Sequence, residues 1–323
     1  MPRLLRICGK ELKDLTRSRA LTTLVLFLAA VVALSVLVAA ADFRIKIGEY
    51  NNYVAALTRS GGTVSGPPPE LSALQMLRAA MEYLEIVGSL FAVILGYGLI
   101  AKEKNRGTLQ LLFTRPLGRV SFAGGKILAS VVLWAAVTAA LFAVITATLL
   151  LVANAPLQGE DFAKLAVAAA HTAIYLTMWS LAAFALAAFT RAPGTGLVLA
   201  LVLWLVVVLV IPQIGDTMDP DNQVPGGLFA SLQIDKSHEH SVMAGFAGYE
   251  TARDLIEQTS VTKQYERPLF AWLGIKNQYN QQPFSVIWAG TFNNTLWLLT
   301  GFAAALAASF LAATRTNLLR KLT

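Results

Sequence analysis

The sequence predicts an all-α, polytopic membrane protein with six transmembrane helices, and three observations carry that expectation. Of 323 residues, 56% are hydrophobic and only 14% are charged, with a mean hydropathy of +0.59; a soluble domain carries about 25% charged residues. The apolar residues are gathered into six runs, separated by segments rich in charge, Gly and Pro. No ten-residue alternation of the barrel type is present. The lone cysteine, Cys8, excludes an intrachain disulfide and a cysteine-cluster metal site.

Residues 1–20 form an amphipathic helix. At about 100° per residue, Leu4, Leu5, Cys8, Leu12 and Leu15 share one arc, opposite Arg3, Arg6, Lys10, Lys13 and Arg17. That division fits a helix lying in the membrane interface, with Leu4, Leu5, Leu12 and Leu15 toward lipid; the plainer reading is a positive flank that orients the first span. Residues 21–41 are an uncharged run of 21, enough for a hydrocarbon core of about 30 Å. Ala39-Ala40-Ala41 mimics a signal-peptidase site, but the run exceeds the roughly 7–15 residues of a signal core, so an uncleaved first span is expected.

Residues 42–82 read as an extracytoplasmic loop, marked by Gly61-Gly62 and Pro67-Pro68-Pro69, turning helical from Glu70. The second span covers 83–101, and a basic loop follows at 102–125. The third span is 126–153, the fourth 165–189 and the fifth 197–212, which ends at Pro212. Residues 213–285 are polar. A structureless loop of that length is uncommon, so a small extracytoplasmic subdomain of helices is expected there. The sixth span is 286–313 and the tail 314–323.

Sixteen of the 26 Lys and Arg residues lie in 1–20, 102–126, 190–196 and 314–323, while those segments hold only Glu11, Asp14 and Glu103 of the 19 acids. The positive-inside rule therefore places them, and both termini, in the cytoplasm.

Chemistry is sparse. Gly124-Gly125-Lys126 is the nearest approach to a phosphate-cradling loop. It fails because Ile127 follows the lysine and Val120 stands where the first glycine belongs. No HExxH or G-x-S-x-G pattern is present, so no catalytic residue is assigned. His238-Glu239-His240 is the most metal-like cluster. Its spacing brings His238 and His240 together only on a strand, and no further ligand is evident, so a solvated cluster is the simpler reading and no metal is assigned. His171 lies inside the fourth span and Asn293 and Asn294 inside the sixth. Such groups join helices by hydrogen bonds or line a path for substrate. Glu82 and Glu85 stand at the outer mouth of the second span, with Arg78 one turn before Glu82. A local ion pair and a substrate gate are both consistent with that spacing. Glu82, Glu85, His171, Asn293 and Asn294 are the candidate translocation path.

The most informative stretch is Lys102–Arg119, KEKNRGTLQLLFTRPLGR. Lys102-Glu103-Lys104-Asn105 leaves the bilayer, Thr108 is an N-cap candidate, and Pro116 and Gly118 end a short helix. Leu109, Leu111, Leu112 and Phe113 make an apolar knob ringed by basic residues. An ordinary positive-inside loop explains the charges but not the knob.

Read as Glu103, Lys104, Arg106, Gly107, Thr108, Leu109, Leu112, Pro116 and Arg119, this stretch resembles the loop after the second span of ABC-2 type transporter permeases. Within that family it is closest to the branch linked to copper-enzyme maturation, such as the nitrous oxide reductase system. The resemblance implies a type V ABC exporter-like fold, with the N-terminal helix as elbow helix. It implies a coupling helix over about Asn105–Arg115, in which Glu103, Arg106, Gly107, Thr108, Leu109, Leu112, Phe113, Arg115 and Pro116 dock an ATPase. It further implies a separate ABC ATP-binding subunit that binds ATP and Mg, a second permease copy or paralogue, and an inner (plasma) membrane location. An extracytoplasmic protein is a further partner the large loops would admit; nucleic acid is not expected, and this chain itself holds no cofactor. Two other classes stay open: an ion-coupled secondary transporter, against which no repeat or mid-span carboxylate is seen, and a non-transport component that remodels an external partner.

Overall fold

The computed structural model describes residues 2–60, 72–105, 118–151, 157–218 and 247–319, with a few single positions between 238 and 245. The described residues are helical and contain no strand. Among the described residues, six helices are long and apolar enough to cross a membrane.

Helix α1 (Pro2–Thr16) lies across one end of the bundle, the terminal face. α2 (Arg19–Arg59) leaves this face and does not stop at Ala41. The expected loop at 42–82 is thus helical through Arg59. Its polarity ends the apolar run, but it contains no proline before Pro67, and Asp42–Lys46 adds an i,i+4 pair at 2.6 Å. Hydropathy marks where the membrane stops, not where the helix stops.

α3 (Ala73–Asn105) returns to the terminal face. It opens with a 3₁₀ turn and carries a π-helical segment at Leu84–Gly88. α4 (Arg119–Leu151) and α5 (Gly159–Phe189) form the next pair. α5 is the hub, packing on α3, α4, α6 and α9. Its contacts are made close by small residues: a Cβ on Gly96 of α3 would lie 2.0 Å from the Ser180 carbonyl oxygen. Ser130 Oγ donates to Ser180 Oγ at 3.0 Å, and Ser309 Oγ to the Leu181 carbonyl at 2.7 Å. Hydroxyls of this kind join helices where water is excluded.

α6 (Pro193–Thr217) passes through Pro212, where the fifth span was expected to end, because a second π-helical segment, Leu205–Val210, precedes it. The Ile211 N–H donates five residues back, to the Val206 carbonyl. In that register the Val207 carbonyl would need the N–H of residue 212, and proline has none.

Within the subdomain expected at 213–285, residues 219–237 and most of 238–246 lie outside the described residues, and the described part holds α7 (Ala247–Thr259) and α8 (Val261–Trp272). They form a hairpin that re-enters the bundle. Val261, at its tip, lies beside Gly301 and Met178, its Cγ1 3.4 Å from where a Cβ on Gly301 would stand; Gly301 is roughly 25 Å along α9 (Phe284–Ala312) from its far end at 1.5 Å per residue. From there α8 climbs to Trp272, whose ring lies 4.5 Å from Phe284 and 6.2 Å from Trp288. Tyr265, Leu269, Phe270 and Trp272 are buried against α5 and α9. A short α10 (Arg315–Leu319) ends the described chain.

Candidate functional site

On the terminal face, the end of α3 and the start of α4 are tied to α1 and α5. Residues 106–117 lie outside the described residues, and with them Arg106, Gly107, Thr108, Leu109, Leu112, Phe113, Arg115 and Pro116. Lys126, in the second turn of α4, is only 1% exposed. Its ammonium donates to Glu11 Oε1 of α1 at 2.9 Å and to the Leu99 carbonyl of α3 at 2.7 Å, and pairs with Glu103 Oε2 at 3.1 Å. Lys10 adds a longer contact to Glu103 Oε1 at 3.4 Å. Burial would lower the Lys10 ammonium, but Glu11 and Glu103 outweigh it and hold it above its ordinary value. Three helices therefore meet on one buried charge.

Glu103 is thus turned toward Lys126 and Lys10, its side chain 12% exposed. The adjacent Lys104 reaches the C-terminus of α5 and donates to the carbonyls of Ala187, Ala188 and Thr190 at 3.0, 2.8 and 2.6 Å. A helix C-terminus favours a cation.

The failed phosphate-loop match finds its reason here. A Cβ on Gly125 would lie 2.7 Å from Ile7 Cγ2, so the glycines admit α1, and the lysine anchors it. The apolar face of α1 accordingly packs on protein: Cys8 and Leu15 are buried, Leu12 packs on the core, and Leu4 lies against Gly124. Only Leu5, 61% exposed, stands free for lipid. Lys126, Glu11 and Lys104 were given no helix-joining role from sequence, although a lysine in an apolar run is itself a signal.

The second assembly lies inside the bundle, where both π-helical segments meet the hairpin tip. Ser260 Oγ and Thr262 Oγ1 donate to the orphaned Val207 carbonyl, each at 3.3 Å. The Glu85 carbonyl accepts from Ser89 Oγ and, at 3.3 Å, from the Tyr175 hydroxyl. Trp204 Nε1 donates to Ser89 Oγ at 2.7 Å, which ties α6 to α3. Tyr175 and Tyr265 stack at 4.2 Å, and the Tyr265 hydroxyl meets Thr172 Oγ1 at 3.0 Å. Replacing Ser260 by Ala together with Thr262 by Val leaves Val207 without a donor. Thermal unfolding of the full chain is expected to register about 1–3 kcal/mol of lost stability.

The expected path residues separate. Glu85 is 8% exposed and lies on the π-helical segment Leu84–Gly88 of α3. Glu82 is exposed and paired with Arg78 at 3.0 Å. His171 joins helices: Nδ1 donates to the Val167 carbonyl at 2.9 Å and Nε2 lies 3.0 Å from Thr295 Oγ1. Asn294 Nδ2 donates to Gln264 Oε1 at 2.8 Å, linking α9 to α8, whereas Asn293 is on the exposed face of α9. His238 is exposed, and His240 lies outside the described residues. No group of three metal-ligating side chains occurs among the described residues.

The fold is that of a multi-pass helical membrane protein. The chain belongs to the ABC-2 family transporter proteins, whose family model matches residues 5–318. Among curated proteins, no sequence matches the chain. Membership makes it the membrane component of an ABC system, a family that generally works with an ATP-binding subunit.

Proposed function

We propose that this chain is the permease subunit of an ABC-2 transporter, which moves its substrate across an inner (plasma) membrane using ATP and Mg bound by a separate subunit. Both termini are cytoplasmic, and the working unit contains two permease copies or a permease and a paralogue. Residues 105–115 are the coupling helix. The observation that carries the reading is the buried Lys126 cluster: it fixes α1, α3 and α4 at the two flanks of this loop. A push on the loop is therefore delivered to three helices at once. Leu109→Asp, Leu112→Asp and Phe113→Asp combined are expected to abolish co-purification of the ATP-binding subunit while the permease still inserts. Retained binding and retained stimulation of ATP hydrolysis would refute the docking assignment.

The substrate path passes the hairpin tip and Glu85. The same carboxylate favours a second reading, coupling to an ion gradient, because intramembrane acids often serve proton or ion movement. Flux in sealed vesicles separates the two: the first requires ATP, and the second persists without ATP and collapses with the proton gradient.

A further inference from the structure

We propose that Lys104 is a positioning residue that ties the docking loop to the turn between α5 and α6, so that motion of the loop reaches α6 and the hairpin bonded to it. This deepens the reading that residues 105–115 dock an ATP-binding subunit, and it rests on that reading.

Lys104 stands one residue before Asn105, where the assigned coupling helix begins. A helix ends in carbonyls that have no donor of their own helix and in a partial negative charge. In α5 the last bond of the helix runs from the Thr190 N–H to the Leu186 carbonyl. The carbonyls that follow are reached from α3. Lys104 Nζ lies 3.0 Å from the Ala187, 2.8 Å from the Ala188 and 2.6 Å from the Thr190 carbonyl oxygen. An ammonium has three donors, and all three acceptors belong to one helix end. The contact sets the end of α5 against the last turn of α3.

The turn beyond it is stiff. Thr190 Oγ1 donates to the Leu186 carbonyl at 2.9 Å, and Pro193 opens α6. A Cβ on Gly196 would lie 2.5 Å from Ala187 Cα and 2.7 Å from Thr190 Oγ1, so the first turn of α6 is seated on the last turn of α5. Ala187 is both the residue that Gly196 meets and one whose carbonyl Lys104 holds. A displacement of Lys104 therefore moves the end of α5 and the start of α6 as one piece. Farther along, α6 is bonded to α3 through Trp204 and to the hairpin through the Val207 carbonyl. The Lys126 cluster joins α1, α3 and α4. Lys104, one residue past Glu103, adds α5 and α6 by a separate contact. The competing route is packing of α3 on α5 and α6 along their length.

The test uses the full chain in lipid nanodiscs with its ATP-binding subunit, in a Cys8→Ser background that removes the only cysteine. Bimane is attached, in separate preparations and before the subunit is added, through Gly194→Cys in the turn or Val120→Cys at the start of α4. Both positions are open: a Cβ at 194 meets nothing within 4 Å, and Val120 is 63% exposed. Fluorescence is read before and after addition of MgATP with vanadate. With Lys104 in place, both reporters are expected to respond. Lys104→Met is expected to lose the response at 194 and keep that at 120, which also shows that the variant is folded and docked. Lys104→Arg, which keeps several N–H donors on a cation, is expected to keep both. An unchanged response at 194 in Lys104→Met overturns the proposal in favour of packing. Loss of both responses in Lys104→Met overturns it as well, because the defect is then general. So does a response at 120 without one at 194 while Lys104 is in place. If neither reporter responds with Lys104 in place, the docking reading itself fails and this inference falls with it.

Discussion

In thermal unfolding of the full chain, Lys126→Met is expected to lose about 3–5 kcal/mol of stability, the usual size for breaking a buried charge cluster from one side. The side chain is almost fully buried, and it satisfies two carboxylates and the Leu99 carbonyl. Methionine fills much of the same volume, so the loss isolates charge rather than packing. Glu11 and Glu103 would be left close together, with Lys10 still within 3.5 and 3.4 Å of them. The companion measurement is the triple variant Lys126→Met, Glu11→Gln, Glu103→Gln. Removing the whole cluster is expected to recover most of the stability, because replacing all members of a buried ionic group is often close to neutral. Transport coupling should not recover with it. A triple variant as stable as wild type and still fully coupled would show that the cluster does no more than fill space, and the proposed transmission through α1, α3 and α4 would fail.

The same cluster shows which part of this protein is written plainly in its sequence. The spans are legible because burial in lipid demands long apolar runs, and each of the six observed helices contains one. The polar half of α2 was not legible as helix, since hydropathy reports solvent and not backbone conformation. α8 was not legible as re-entrant. Its segment VTKQYERPLFAW carries charge at one end and aromatic bulk at the other, which reads as a surface helix until Val261 is seen beside Gly301. Its burial is dictated by partners far along the chain: Thr172, Val207 and Asn294. Gly125 and Lys126 carried a signal that a motif search discarded: close approach and buried charge rather than phosphate binding.

Substitution of Gly96 by Val is expected to be the other severe change, at about 3 kcal/mol, the upper part of the range for overpacking a core. A Cβ at this position would stand 2.0 Å from the Ser180 carbonyl oxygen and 2.7 Å from the Ser180 Cα. Both obstructing atoms are backbone, so no side-chain rotation relieves the clash, and α3 and α5 must separate. Separation would also break the Ser130–Ser180 hydrogen bond, because Ser180 lies at the same crossing. Two residues further along α3, Gly98 meets nothing within 4 Å. Gly98→Ala is therefore expected to gain roughly 0.5–1 kcal/mol from helix propensity alone. The pair separates backbone proximity from helix propensity within two residues of one helix. If both substitutions shift the unfolding midpoint alike, the tight α3–α5 crossing is not what holds α5 at the centre of the bundle. If Gly96→Val alone collapses it, the hub is set by a glycine on a neighbouring helix, and the stacked tyrosines and the hairpin tip borne by α5 depend on that crossing for their position.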